Sequence, residues 1–146
     1  MEKVPPAKIL IVDDEERNRR LFDVFARADG YVTVGAASGA QGLELAVSEK
    51  PDIILLDLMM PGMDGFEVAR GLKANPATRA IPVIIVSALE DVASHQRMLV
   101  SGVDEFINKP VDRWELSLLI SKLLHARHDG GESAGTPRAQ GGPANG

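Results

Sequence analysis

The sequence predicts an α/β fold in which helices cover both faces of a five-stranded parallel sheet. Five short, nearly continuous apolar segments alternate along the chain with five segments whose apolar residues recur at helical spacing. Continuous apolar segments are typical of parallel strands that are covered on both faces, and regular alternation of strands and helices predicts three layers. The length of 146 residues and the 45% apolar content suit one domain with a real core.

The predicted strands are the five apolar segments, and the second of them, VTVGA, is the least apolar and fits an edge position. These strands span residues 8–12, 32–36, 53–56, 82–86 and 105–107. Right-handed crossovers leave few ways to connect five parallel strands. The order 2-1-3-4-5 of the flavodoxin-like three-layer sandwich is the expected one.

The predicted helices lie between and after these strands, and each places apolar side chains on one side. They span residues 17–28, 40–49, 65–74, 91–101 and 112–126. The fourth is the least amphipathic, whereas the fifth carries a regular stripe of leucine and isoleucine. Asp112, with Glu115 three residues later, is a suitable N-cap for the fifth helix.

The two ends of the chain differ in composition from the body. Residues 1–7 are a short lead-in with a Pro-Pro pair, and residues 8–126 form the predicted domain. From residue 129 onward Gly, Ala and Pro predominate and no large apolar residue occurs. Such a segment buries too little surface to offset chain entropy, so residues 127–146 are predicted to be disordered.

Composition excludes several classes of function. The chain contains no cysteine, which rules out disulfides, thiolate catalysis and cysteine-based metal sites. The net charge of −5 and the lack of a long basic segment argue against nucleic-acid binding. No segment has the ~18 consecutive apolar residues of a membrane helix, and the first residues do not form a signal peptide. A cytoplasmic protein without a membrane anchor is expected.

Polar residues end four of the five predicted strands. Asp13 and Asp14 follow the first strand, Asp57 the third and Ser87 the fourth, and Lys109 comes after the fifth. In open α/β sheets, binding sites lie at the carboxyl ends of the strands. Because these four strands adjoin one another in the predicted order, three carboxylates, a hydroxyl and an ammonium group are expected to converge there.

This combination of groups is chemically coherent. Three close carboxylates repel one another, and a site with only oxygen ligands suits Mg²⁺ or Mn²⁺. Asp57 can then act as a nucleophile that forms an aspartyl phosphate. Lys109 and the cation would neutralise the phosphoryl oxygens, while Ser87 donates a hydrogen bond to one of them.

Each of these residues also has an ordinary structural explanation when taken alone. Asp13 or Asp14 could cap a helix, Ser87 could be a turn hydroxyl, and Lys109 could be a solvated lysine. Their joint occurrence at strand ends favours a functional site over these separate explanations.

Four segments of the chain carry a resemblance to a known family. They are ILIVDDEERNRRL (9–21), PDIILLDLMMPGMDGFEV (51–68), IPVIIVSAL (81–89) and DEFINKPVD (104–112). From about residue 7 to residue 125 the chain resembles the receiver domain of two-component response regulators. The DLMMPGMDG segment together with the later Lys-Pro is the most specific part of the match.

The resemblance implies a role for each matching residue. Asp57 is the implied phosphoacceptor. Asp14 and Asp57 supply carboxylates to Mg²⁺, Asp13 acts mainly through bound water, and the backbone carbonyl of Met59 is a further ligand.

The resemblance also implies the residues that respond to phosphorylation. Lys109 pairs with the phosphoryl group, and Ser87 and Phe106 occupy the two switch positions of the family. Phe106 has no hydroxyl, so it cannot form the hydrogen bond of a tyrosine at that position. The Lys109–Pro110 peptide bond is expected to be cis.

The resemblance further implies partners and output. A histidine kinase or a histidine phosphotransfer protein supplies the phosphoryl group. A downstream protein then binds the face formed by the fourth helix, the fifth strand and the fifth helix, and the chain is a monomer or a weak homodimer. Trp114, at the start of the fifth helix, either packs inside or faces a partner. No enzymatic activity is expected beyond self-catalysed phosphoryl acceptance and slow autodephosphorylation.

Some alternatives stay open at this point. A Mg²⁺-dependent phosphohydrolase with an aspartate nucleophile is one, although Asp57-Leu58-Met59 lacks the second carboxylate of the haloacid-dehalogenase type. A receiver-like scaffold that is never phosphorylated is another. The chain is either a stand-alone regulator or the receiver of a longer one. Met59 and Leu89 are apolar at positions that tune dephosphorylation in the family, which predicts a long-lived phosphoryl group.

Overall fold

The structure, a computed structural model, describes residues 6–60, 62–87 and 103–132, without the side chains at positions 59, 63 and 127–132. The predicted fourth helix (91–101) and Leu89 lie outside the described residues, as does most of the predicted tail.

The main sheet has five parallel strands in the predicted order β2-β1-β3-β4-β5, which confirms the predicted fold class. The strands are β1 (Lys8–Val12), β2 (Val32–Ala36), β3 (Ile53–Asp57), β4 (Val83–Ser87) and β5 (Glu105–Asn108). The last three end one residue later than predicted. Hydrogen bonds between neighbouring strands therefore continue into the polar residues at their carboxyl ends.

Four helices occur in the described part of the chain. They are α1 (Glu16–Ala28), α2 (Gly39–Glu49), α3 (Gly65–Ala74) and α4 (Arg113–Glu132). The first two begin one residue earlier than predicted, α3 matches its prediction, and α4 is the predicted fifth helix. At the start of α4 the Asp112 carboxylate accepts a hydrogen bond from the backbone N–H of Glu115, at 2.8 Å, as expected for an N-cap.

The end of α4 corrects one prediction. The chain was predicted to be disordered from residue 127, but the helix continues to Glu132, six residues beyond the predicted end at 126. Once a helix is formed, each further residue that is ordered adds one backbone hydrogen bond without the cost of a new nucleus. Composition alone therefore places the end of a helix too early.

A small hairpin between β3 and α3 was not predicted. Met59–Met60 pairs antiparallel with Met63–Asp64, and Gly62 in the turn has a positive φ of 79°. Asp64 then caps α3, since its side chain accepts a hydrogen bond from the N–H of Phe66 at 2.8 Å.

Two apolar clusters cover the two faces of the sheet. Successive strand residues point to opposite faces, so Leu10 and Val12 belong to one cluster and Ile9 and Ile11 to the other. Helices α2 and α3 cover the first cluster, and α1 and α4 cover the second. Among the described residues, no helix combines the length and the apolar character needed to cross a membrane.

Candidate functional site

Sheet register brings the predicted site residues to one edge. Asp57 is the last residue of β3 and pairs with Val86 of β4. Ser87 ends β4 and pairs with Asn108, the residue before Lys109. Asp13 lies one residue beyond β1. The polar groups therefore meet at the carboxyl edge, as the strand order predicts.

The closest charged contact at this edge joins Lys109 and Asp57. The backbone N–H of Lys109 donates to the Ser87 carbonyl at 2.9 Å, which extends the pairing of β4 and β5. The Nζ atom of Lys109 then lies 3.3 Å from Oδ1 of Asp57. Asp57 is only 4% exposed, whereas the Lys109 side chain is 35% exposed, so the carboxylate is sheltered from water and the ammonium group stays partly solvated. The Lys109–Pro110 bond is cis, as expected.

Asp13 is the most deeply buried acid of the site, with 1% exposure. Its Oδ1 accepts a hydrogen bond from the backbone N–H of Glu15 at 2.9 Å, whereas the buried Oδ2 has no partner among the described residues. Burial raises the pKa of Asp13, and the Glu15 N–H and the positive charge of Lys109 oppose that shift. An ionised Asp13 therefore has a buried oxygen available for a cation or its bound water.

The carboxylates of Asp13, Asp14 and Asp57 form one cluster. One oxygen from each lies within 4.8 Å of the others, and Asp14 is exposed whereas the other two are buried. Three oxygen ligands with one side open to solvent suit a small, hard divalent cation that keeps some of its water. This geometry, together with the unpartnered Oδ2 of Asp13, fits the predicted Mg²⁺ site.

The loop after Asp57 is held very close to the start of α3 by a residue that was not among the predicted site residues. The N–H of Gly65 donates to the Leu58 carbonyl at 2.9 Å. A Cβ atom at position 65 would lie 2.7 Å from the Cα of Leu58 and 2.9 Å from the carbonyl oxygen of Asp57. Glycine is required there, and the Asp-Gly pair of DLMMPGMDG is the signal that could have identified it.

The remaining predicted site residues are Met59, Ser87 and Phe106. Met59 begins the hairpin two residues after Asp57, and its backbone pairs with Asp64. Ser87 is 2% exposed. Phe106, on β5, is partly buried against the cluster that contains Leu10 and Val12.

Trp114 is the aromatic residue whose environment the sequence left open. It is 65% exposed, and the Arg113 guanidinium lies 4.6 Å from the centroid of its ring. The indole is therefore on the surface of α4 rather than in the core.

Comparison with known proteins identifies the family to which the site belongs. The family model of the response regulator receiver domain matches residues 9–121. Response regulator PleD from Caulobacter vibrioides is 47% identical over 106 residues, which is 73% of this chain and 23% of PleD. Polar-differentiation response regulator DivK from Brucella anthropi is 37% identical over 106 residues, or 73% of this chain and 86% of DivK. The chain thus matches less than a quarter of the length of PleD but most of DivK.

Solved structures support the same fold. One is the receiver domain of sensor histidine kinase PA1611 from Pseudomonas aeruginosa, which holds a magnesium ion in its active-site cleft. It aligns with a TM-score of 0.76 and 27% identity, over 82% of this chain and 98% of that one.

Proposed function

The chain belongs to the response regulator receiver domain family, and on that basis we propose that it is a phosphorylation-activated switch with Asp57 as its phosphoacceptor. The observation that carries the proposal is the placement of Asp57. Its carboxylate is nearly buried, lies 3.3 Å from the Lys109 ammonium, and shares a cluster with two more carboxylates. An oxygen nucleophile beside a fixed positive charge and a candidate cation site is the arrangement that phosphoryl transfer requires.

The acidic cluster is the proposed Mg²⁺ site. Asp14 and Asp57 supply carboxylate oxygens, Asp13 acts through bound water, and the backbone carbonyl of Met59 completes the protein ligands. When bound, the cation neutralises negative charge on the phosphoryl oxygens and on the carboxylates around them. Mn²⁺ prefers the same oxygen ligands.

The proposed transfer step uses the side chains already in place. A carboxylate oxygen of Asp57 attacks the phosphorus of a phosphohistidine, so that a P–O bond forms and the P–N bond breaks. The electron pair of that bond returns to the imidazole nitrogen of the donor. Lys109 stabilises the charge that spreads over the phosphoryl oxygens, and the Ser87 hydroxyl donates a hydrogen bond to one of them.

The proposed response is a shift between two conformations. The new negative charge on Asp57 draws Ser87 and Lys109 toward the phosphoryl group. Phe106, which is only partly buried, moves inward into the space that Ser87 leaves. Phosphorylation thus biases a local two-state equilibrium and changes the surface next to β5 and α4.

Partners follow from this switch. A histidine kinase or histidine phosphotransfer protein is the proposed donor, and a downstream protein binds the face that contains β5, α4 and the predicted fourth helix. Trp114 and Leu118 are exposed, one turn apart, on α4, and tryptophan is one of the residues that most often anchor protein contacts. The chain is proposed to signal by contact as a monomer or weak homodimer, and to have no enzymatic activity beyond its own phosphorylation and slow dephosphorylation.

The direct test is to incubate the protein with acetyl phosphate and measure its intact mass. We expect the mass of one phosphoryl group to be added with Mg²⁺ present and not after chelation. Asp57→Asn, which keeps the size of the side chain, should add none. A wild-type protein that stays unmodified with acetyl phosphate and with candidate kinases would favour the scaffold alternative.

A further inference from the structure

Arg19 contacts the acidic site although the proposed function gives it no part. We propose that Arg19 is a positioning residue: its guanidinium holds the backbone carbonyl of Asp13 and thereby fixes the turn that presents the Asp13 and Asp14 carboxylates to a divalent cation. The inference rests on the proposed function, because it concerns the same site.

The contact is short and joins a side chain of α1 to the residue that follows β1. The NH1 atom of Arg19 donates to the carbonyl oxygen of Asp13 at 2.7 Å, which is the length of a strong, charge-assisted hydrogen bond. Asp13 lies beyond Val12, the last residue of β1 that pairs with β2 and β3. Its carbonyl is therefore not part of the regular ladder, and the Arg19 side chain supplies a donor where the sheet ends.

With this contact, three of the four polar groups of Asp13 have protein partners. The N–H donates to the Ala36 carbonyl at 3.0 Å, the carbonyl accepts from Arg19, and Oδ1 accepts from Glu15. In the described part of the chain, the fourth group, Oδ2, is buried without a partner. The backbone and one carboxylate oxygen are thus fixed, and the other oxygen is left for a ligand.

The Arg19 side chain passes over a glycine in the edge strand. A Cβ atom on Gly35 would lie 3.4 Å from the Cδ of Arg19. A larger side chain at position 35 would occupy the space through which the arginine passes. Gly35, at an exposed position of β2, therefore leaves room for Arg19 to reach Asp13.

Two roles of Arg19 predict opposite results. If Arg19 acted only through its charge, its removal would strengthen cation binding, because a positive group would be lost near the site. If Arg19 positions the turn, its removal weakens cation binding despite that loss of repulsion. Groups that orient metal ligands typically account for about 10–100-fold in affinity.

The test uses Mn²⁺ as the probe and follows the EPR signal of the free ion. Arg19→Met keeps most of the apolar stem and removes the donor. Arg20→Met is the matched control, since Arg20 has the same charge and pairs with exposed Glu16 at 2.9 Å. Titrations at about 0.5 M KCl screen the difference in charge. We expect the dissociation constant of Arg19→Met to rise about tenfold, with that of Arg20→Met unchanged.

Two further variants keep the test decisive if Arg19→Met folds poorly, which its thermal midpoint would reveal. Arg19→Lys retains a donor and should recover part of the affinity. Gly35→Val retains Arg19 and all the acids but obstructs the side chain, and it should also weaken Mn²⁺ binding.

The possible failures are distinguishable. If the wild-type protein binds no Mn²⁺, the proposed cation site is wrong and the role of Arg19 falls with it. If the wild-type protein binds and folded Arg19→Met binds equally or more tightly, the cation site stands and only the role of Arg19 is overturned.

Discussion

At the edge of the apolar sheet, Asp57 and Lys109 are held in positions that suit the proposed phosphoryl transfer. The carboxylate of Asp57 is almost fully buried, and its Oδ1 is 3.3 Å from the lysine ammonium. An ion pair with one buried partner contributes little to stability by itself, because removing that charge from water is costly. Such a pair is better explained by a function, here the neutralisation of a transferred phosphoryl group.

Replacing Lys109 should therefore slow phosphorylation. We expect Lys109→Met to lower the rate of phosphorylation by acetyl phosphate about a hundredfold, the usual effect of removing one electrostatic stabiliser. The rate can be followed by intact mass over time. Lys122→Met is the control, because that exposed lysine pairs with Glu105 on β5 instead. Equal rates for Lys109→Met and the wild type would contradict the role of Lys109.

At the scale of elements, the sequence predicted what depends on an extended pattern and missed what depends on a very short element or on a single side-chain contact. The apolar segments identified all five strands, most clearly β1, β3 and β4, where burial on both faces leaves little choice of residue. The two-residue strands Met59–Met60 and Met63–Asp64 have no detectable periodicity, so the hairpin was missed. The acids and Lys109 could be placed from strand order, but the bond from Arg19 to the Asp13 carbonyl could not.

The junction between β3 and α3 gives a prediction about stability. We expect Gly65→Ala to lower the free energy of unfolding by about 1–3 kcal/mol, because the new Cβ meets backbone atoms that cannot move aside. Gly71→Ala, in the same helix, meets only the end of the Leu43 side chain, at 3.3 Å from Cδ2 and 3.7 Å from Cδ1, and gains helix propensity. Urea denaturation compares the two variants, and equal destabilisation would show that the close approach at Gly65 is unimportant.

Asp23 of α1, whose carboxylate accepts a hydrogen bond from Thr33 of β2, gives a prediction about how stability depends on pH. A hydrogen bond from the Thr33 hydroxyl, followed by the effect of Arg27, lowers the pKa of Asp23 below its ordinary value of 3.8. A lowered pKa in the folded state stabilises the protein above pH 3.8, and this contribution is lost as the pH falls through the folded-state pKa.

Asp23→Asn should accordingly be less stable than the wild type at about pH 7, by about 1 kcal/mol or less because the site is partly exposed. The difference should shrink as the pH falls through the folded-state pKa of Asp23, because the wild-type carboxyl then becomes protonated as well. Thermal unfolding across this pH range measures it. A difference that is constant with pH would show that the charge of Asp23 is not responsible.

At the scale of the whole molecule, apolar clusters on both faces of the sheet hold in place the charged residues at its carboxyl edge. The clusters on both faces fix the strands, and the strands hold the acids of β1 and β3 close together. In the absence of a cation, the repulsion between these acids opposes folding. The fold therefore positions the site at some cost to its own stability, and a bound cation is expected to offset that cost.

Mg²⁺ should stabilise the whole domain by mass action. At a concentration about 100 times the dissociation constant, the expected gain is about 2.7 kcal/mol, or roughly 5–10 °C in the thermal midpoint. Asp57→Asn should show a much smaller increase, and KCl at the same ionic strength should not reproduce the effect. An equal increase for both proteins would place Mg²⁺ binding elsewhere.

Chemical trapping of the phosphoryl group can show directly whether Asp57 is the residue that carries it. Borohydride reduces an acyl phosphate to an alcohol, so it marks the phosphorylated aspartate permanently. Mass spectrometry of peptides from the treated protein then identifies the residue. We expect modification at Asp57 that depends on Mg²⁺. Modification at Asp13 or Asp14 instead, or none at Asp57 in protein that has gained the phosphoryl mass, would contradict it.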